Sequence, residues 1–161
     1  MKFCFVDRIT KVEEGVGITV TKAVSFGEDY LADHFPGAPI MPGAMMMEAA
    51  IEAACWFLRK ERGFSAEDYN VSKIGQAKFS RVLRPGDVLT IDLKKLDESE
   101  DRQVFSFRAK GSSSEGAKVF SLRFSLRLRS YEQSSVASIG QEYVKLEQKR
   151  LWSLMSTEPV S

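Results

Sequence analysis

Residues 44–58 read Ala-Met-Met-Met-Glu-Ala-Ala-Ile-Glu-Ala-Ala-Cys-Trp-Phe-Leu, a run of strong helix formers with apolar side chains on every side. A helix of this kind has no broad polar face to give to water, so other structure must wrap it. Pro42 stands at its entrance with φ already suited to a first turn. The cluster Arg59-Lys60-Glu61-Arg62 followed by Gly63 marks its end, since basic residues suit a helix C-terminus and glycine a C-cap. About seventeen residues at 1.5 Å each give a buried central helix of roughly 25 Å.

The wrapping has to come from strands. Phe3, Phe5 and Asp7 alternate with Cys4, Val6 and Arg8 in a short first strand. Val16, Ile18 and Val20 then alternate with Gly17, Thr19 and Thr21, with the turn between the two at Glu13-Glu14-Gly15. Residues 71–97 and 102–129 return to the same period. Its clearest stretch sets Phe120, Leu122, Phe124, Leu126 and Leu128 against Ser121, Arg123, Ser125, Arg127 and Arg129. Such strands bury one face and wet the other, and turns at 97–101 and 111–116 make the last three a meander. One long apolar helix with five or six antiparallel strands on a single core implies an α+β fold whose sheet curls around the helix. Beyond Ser130 a Ser-rich stretch leads to a second, peripheral helix within 140–155. The expected organisation is therefore one domain over 1–130 and a C-terminal extension over 131–161.

Composition narrows the function. The chain has 161 residues, with 23 Lys plus Arg against 22 Asp plus Glu, and this near balance lacks the basic footprint of a nucleic-acid binder. No apolar run is long enough to span a membrane, and no signal-peptide pattern follows Met1. Cys4 and Cys55 form neither a disulfide framework nor a metal-ligand spacing. These features read as a soluble cytoplasmic protein. A single histidine, His34, excludes a multi-histidine metal site within one chain.

The chemistry concentrates in 34–48, His-Phe-Pro-Gly-Ala-Pro-Ile-Met-Pro-Gly-Ala-Met-Met-Met-Glu. His34 precedes a stiff loop that carries three of the five prolines. Gly43 lies at the start of the helix, where unpaired N–H groups and the positive dipole end suit a developing oxyanion. Glu48 stands among methionines and alanines, a setting that raises a carboxyl pKa and keeps it protonated. An imidazole, a protonated carboxyl and an anion-accepting helix end make an acid/base site. Each residue taken singly has a plainer reading: a lone histidine is more often structural, and a methionine run is more often core.

The pattern His-Phe-Pro-Gly-x-Pro-x-Met-Pro-Gly, with a glutamate fourteen residues after the histidine, resembles the (3R)-hydroxyacyl-acyl-carrier-protein dehydratases of fatty-acid synthesis. Phe5-Val6-Asp7-Arg8 is similar to the opening segment of that family. Residues 76–87, with Phe79, Val82 and Pro85-Gly86-Asp87, are similar to a later one. The resemblance spans roughly residues 3–129 and implies the hot-dog fold, a helix wrapped in a curled sheet. It implies that His34 removes the C2 proton and Glu48 protonates the departing 3-hydroxyl. Gly43 would hold the thioester carbonyl through its N–H; Phe35, Pro42 and Glu52 are further candidates to lie beside the substrate. The product would be a trans-2-enoyl thioester, without double-bond isomerisation. The family pattern further implies no metal or organic cofactor and an acyl carrier protein as substrate carrier. It implies a homodimer, or a trimer of such dimers, in which His34 of one chain faces Glu48 of the other. Lys78, Arg81 and Arg84 are candidates for docking the acidic carrier, with Arg59, Lys60 and Arg62 behind them.

One position departs from the pattern. Four residues after the catalytic acid the family usually has glutamine, and this chain has Glu52. Residues i and i+4 share a helix face, so the two carboxyls are neighbours and one should be pushed towards protonation. Two other functions fit the same fold: an acyl-thioester hydrolase using Glu48 or Glu52 to activate water, and a non-catalytic acyl-binding module. Phe57, Trp56, Phe79, Phe35 and the methionines are candidates to close the acyl tunnel.

Overall fold

The period-two runs of the second half of the chain become the body of a single six-stranded antiparallel sheet. The computed structural model describes residues 4–34, 37–133 and 137–157. Strands β1 (Arg8–Glu13) and β2 (Gly17–Ala23) precede a short helix α1 (Tyr30–Asp33) and the long helix α2 (Gly43–Glu61). Strands β3 (Asp68–Phe79), β4 (Val88–Glu98), β5 (Val104–Ser112) and β6 (Lys118–Arg129) follow, then helix α3 (Gln141–Met155). The spatial order is β1-β2-β4-β5-β6-β3, with β4, β5 and β6 forming the expected meander. This is an α+β hot-dog fold.

Helix and sheet meet through residues of opposite size. Ala49, Ala50, Ala53 and Ala54 of α2 are fully buried, and so are Phe107 and Phe120 on the sheet. Phe57 meets Phe107 edge-on at 6.3 Å, and Phe107 stacks on Phe124 at 5.6 Å. Each such side chain contributes about 1.5–3 kcal/mol by leaving water. On β6 the alternation is as written in the sequence: Leu122, Phe124 and Leu126 are inside, while Arg123 and Arg127 are exposed. Gly111 on β5 pairs with Phe120, and a Cβ there would overlap the Phe120 ring.

Three features differ from the sequence reading. The first strand lies at 8–13 rather than 3–8. Phe5 and Val6 are buried, but as irregular chain; the Asp7 N–H donates to the Thr21 carbonyl at 2.9 Å. Phe3 lies outside the described residues. The loop before α2 contains the short helix α1, and α2 itself is not covered all round by its own chain. Ala44 and Glu48 are exposed, and Ile51 and Glu52 are half-buried.

The approach to α1 is pinned by charge. Lys22, only 4% exposed, meets Glu28 at 2.7 Å and Asp7 at 3.3 Å. Burial alone would pull its ammonium pKa down, but the two carboxylates outweigh it and the net shift is upward. The second Asp7 oxygen accepts the Ala23 N–H at 2.7 Å.

The second helix falls where the sequence puts it. Trp152 of α3 is fully buried, edge-on to Phe64 at 5.8 Å, and Lys60 lies over its ring at 5.7 Å. Just past the helix, Ser156 forms a parallel bridge with Ile9 of β1. Among the described residues no helix is long and apolar enough to cross a membrane.

Gly111→Ala tests the helix–sheet fit. Phe120 has no room to withdraw, so the variant should lose about 1–3 kcal/mol, seen as a lower urea midpoint at unchanged slope.

Candidate active site

Helix α2 begins at Gly43 behind Pro42, whose extended ψ of 145° turns the chain into the helix. The Met45 and Met46 N–H groups both donate to the Pro42 carbonyl, at 3.0 and 3.2 Å. Those of Gly43 and Ala44 have no intrahelical carbonyl to reach, and the helix dipole leaves positive charge there. Gly43 does not need a left-handed backbone. It needs the absence of a Cβ, which would stand 3.1 Å from two carbons of the Phe79 ring. Phe79 therefore lies over the helix start.

A groove of about 760 Å³ runs along the face of α2 that the sheet leaves open. Ala44, Met45 and Glu48 line it near the helix start, Glu52 and Trp56 further along. Phe57 points the other way, into the core. The Glu48 carboxyl reaches solvent in the single chain, yet its pKa is raised. Desolvation by the surrounding apolar helix is the larger cause, and the charge of Glu52 adds to it.

Glu52 has a second task that no motif in the sequence announces. One of its oxygens accepts the Phe5 N–H at 2.7 Å, and the other accepts from the Trp56 indole at 3.3 Å and the Cys4 thiol at 3.6 Å. It thus ties the N-terminal segment to α2 across 47 residues of sequence. Burial pushes the Cys55 thiol up to about 12, and burial together with Glu52 raises Cys4.

His34 ends α1 in an extended conformation, half-buried. It is not among the residues lining the Glu48 groove of its own chain. Phe35, expected beside the substrate, lies with Pro36 outside the described residues. Among the described residues no three His, Cys, Asp or Glu side chains converge as a metal site.

The basic residues divide in two. Lys78 and Arg84 are exposed, and Arg81, also exposed, reaches Glu115 at 3.3 Å. Arg59 instead lies over Trp56 and pairs with Asp68 at 3.8 Å, while Lys60 covers Trp152 and Arg62 binds Glu67.

A family model described as a FabA-like domain matches residues 1–123. The chain belongs to the FabA-like family. It is 41% identical over 87 residues to the 3-hydroxyacyl-[acyl-carrier-protein] dehydratase FabZ of Levilactobacillus brevis, covering 54% of this chain and 59% of that protein. To the FabZ dehydratase of Lactiplantibacillus plantarum it is 34% identical over 105 residues, covering 65% of this chain and 71% of that protein. The first of these alignments thus spans less than two thirds of the relative's own length. Among solved structures, a hypothetical thioesterase from Streptococcus pneumoniae with coenzyme A superposes at TM-score 0.57 and 16% identity, covering 75% of this chain and 86% of that one. At that identity the likeness is one of fold. In this FabA-like chain the matched stretch contains α1, α2 and the groove face of α2, and stops before α3.

Glu52→Gln keeps an oxygen for the Phe5 N–H and removes the charge beside Glu48. The Glu48 carboxyl, followed by carbon NMR, should titrate above the ordinary glutamate range in the wild type and at lower pH in the variant. An identical midpoint in both would show that Glu52 does not act on Glu48.

Proposed function

We propose that this chain dehydrates (3R)-3-hydroxyacyl chains carried on acyl carrier protein to the trans-2-enoyl thioester, in cytoplasmic fatty-acid biosynthesis. The observation that carries the reading is Glu48. A carboxyl with a raised pKa lines a groove that Ala44, next to Gly43 in the first turn of the same helix, also lines. A protonated acid is what a hydroxyl leaving group requires, and the helix end suits the oxygen on which charge collects.

The roles follow. The His34 imidazole takes the C2 proton, and the electron pair spreads into the thioester carbonyl, whose oxygen the Gly43 N–H holds. As the C2–C3 double bond forms, the Glu48 carboxyl gives its proton to the C3 hydroxyl, which departs as water. His34 ends protonated and Glu48 ionised, so a proton returns through solvent before the next turnover. Pro42 fixes the position of the Gly43 N–H, and Glu52 holds Glu48 in its protonated form. No metal or organic cofactor takes part.

Because His34 does not line its own chain's groove, the site is completed by a second copy: His34 of the partner subunit approaches Glu48. Strand β3 supports this arrangement. It is twelve residues long at the edge of the sheet, and Val71, Ile74 and Phe79 on it are exposed. An apolar edge of that length invites pairing with another strand. The exposed Lys78, Arg81 and Arg84 form the landing site for the acidic carrier. A hydrolase fits less well, because the neighbouring thioesterase shares only the fold, whereas the FabA-like match includes His34, Gly43 and Glu48.

Purified protein given (3R)-hydroxyacyl-acyl carrier protein should release water but no free thiol, by mass spectrometry. His34→Ala should lower turnover by roughly 10²–10⁴-fold. Thiol release without water loss would replace this reading with the hydrolase, and neither product would leave a binding module. A refolded mixture of His34→Ala and Glu48→Gln chains should regain about a quarter of wild-type activity if the site is shared between two chains. A mixture as inactive as its components would place both residues in one chain.

A further inference from the structure

The groove that contains Glu48 has a wall from outside the family domain. Leu151 and Met155 line it, and both belong to α3, well beyond the FabA-like match that ends at residue 123. They are one helical turn apart, so they present to the groove together. Their position along it is fixed by what holds α3. Trp152, between them in sequence, is buried against Phe64 and under Lys60, which lie just after and near the end of α2. On the other side, Ser156 is tied to the backbone of β1 at Ile9. Helix α3 thus meets the groove at the end remote from Glu48, near Trp56 and Arg59. The eleven residues from Glu48 to Arg59 make that end about 16 Å from the acid. Arg59 and its partner Asp68 border the same end, so a longer alkyl tail would have to desolvate an ion pair.

We propose that Leu151 and Met155 close the distal end of the acyl groove, so that the C-terminal helix α3 sets the longest chain this enzyme accepts. Length selection then comes from a segment appended to the family domain, and the domain itself supplies the chemistry. The proposal rests on the dehydratase reading for its substrate but not for its geometry.

The test uses the full chain and a graded series of (3R)-hydroxyacyl-acyl carrier proteins. Leu151→Trp and Met155→Trp, which fill the groove end, should leave the shortest substrates unchanged and lower kcat/KM for the longest by about tenfold or more. Leu151→Ala with Met155→Ala should extend turnover to chains the wild type rejects. Leu154→Ala, on the exposed side of α3, should reproduce the wild-type profile. In parallel, calorimetric titration with saturated acyl-pantetheines of the same lengths reads the groove without requiring turnover. Unaltered length dependence in the tryptophan and alanine variants, in both assays, would overturn the proposal. Absence of turnover in the wild type, with the length dependence of binding still moved by the variants, would overturn the dehydratase reading and leave α3 as the ruler.

Discussion

Ala49, Ala50, Ala53 and Ala54, all fully buried, put small side chains on the inner side of α2, and among them Phe57 reaches Phe107 of the sheet. On the sheet side Phe107 meets Phe57 and stacks on Phe124. Once this seam is fixed, so is the direction of every other residue on the helix. Positions 44, 48 and 52 follow one another at four-residue intervals on the adjoining face and must look away from the sheet. The same packing that stabilises the fold therefore aims both carboxyls and the helix start into one groove. A bulkier residue in the seam would lift the helix and turn that groove with it.

Glu52 couples the groove to the rest of the chain. Its oxygens hold a backbone N–H, an indole and a thiol, and its charge acts on Glu48 four residues away. A glutamine, the residue that the family pattern leads one to expect there, has an oxygen for the backbone contact but no charge. Anchoring the N-terminal segment and tuning the acid are thereby assigned to a single side chain.

How much of this was legible in the sequence depends on whether the signal was local. Strand β6 alternates cleanly because its sheet face is buried and its other face is wet, and α2 is readable because alanine, methionine, glutamate and leucine dominate it. The first strand lies later than the alternation suggests because Phe5 and Val6 are buried outside any strand, and a register irregularity between Ile9 and Lys11 breaks the alternation of the real strand. The proximity of Glu48 and Glu52 followed from helix spacing alone. The bond from Phe5 to Glu52 did not, since no local pattern links residues so far apart. The contribution of Leu151 and Met155 was hidden for the same reason. A peripheral helix can be read from its own residues, but not the surface on which it lands. Arg59, Lys60 and Arg62 show the same limit from the other side: charge in a sequence does not say that Arg59 and Lys60 lie over indoles or that Arg62 meets Glu67.

The two outer strands of the sheet are unlike each other. β1 is six residues long, carries the exposed charges Arg8, Lys11 and Glu13, and takes Ser156 of the tail alongside Ile9. β3 is twice that length, and among the described residues no strand pairs with its outer edge. Charges and a neighbouring strand blunt an edge, whereas bare backbone templates one. A sheet able to add neighbours on both sides can grow into a ribbon. One that can add on a single side stops as soon as it has met its own image, so the few residues that follow α3 bear on the size of anything this chain can build.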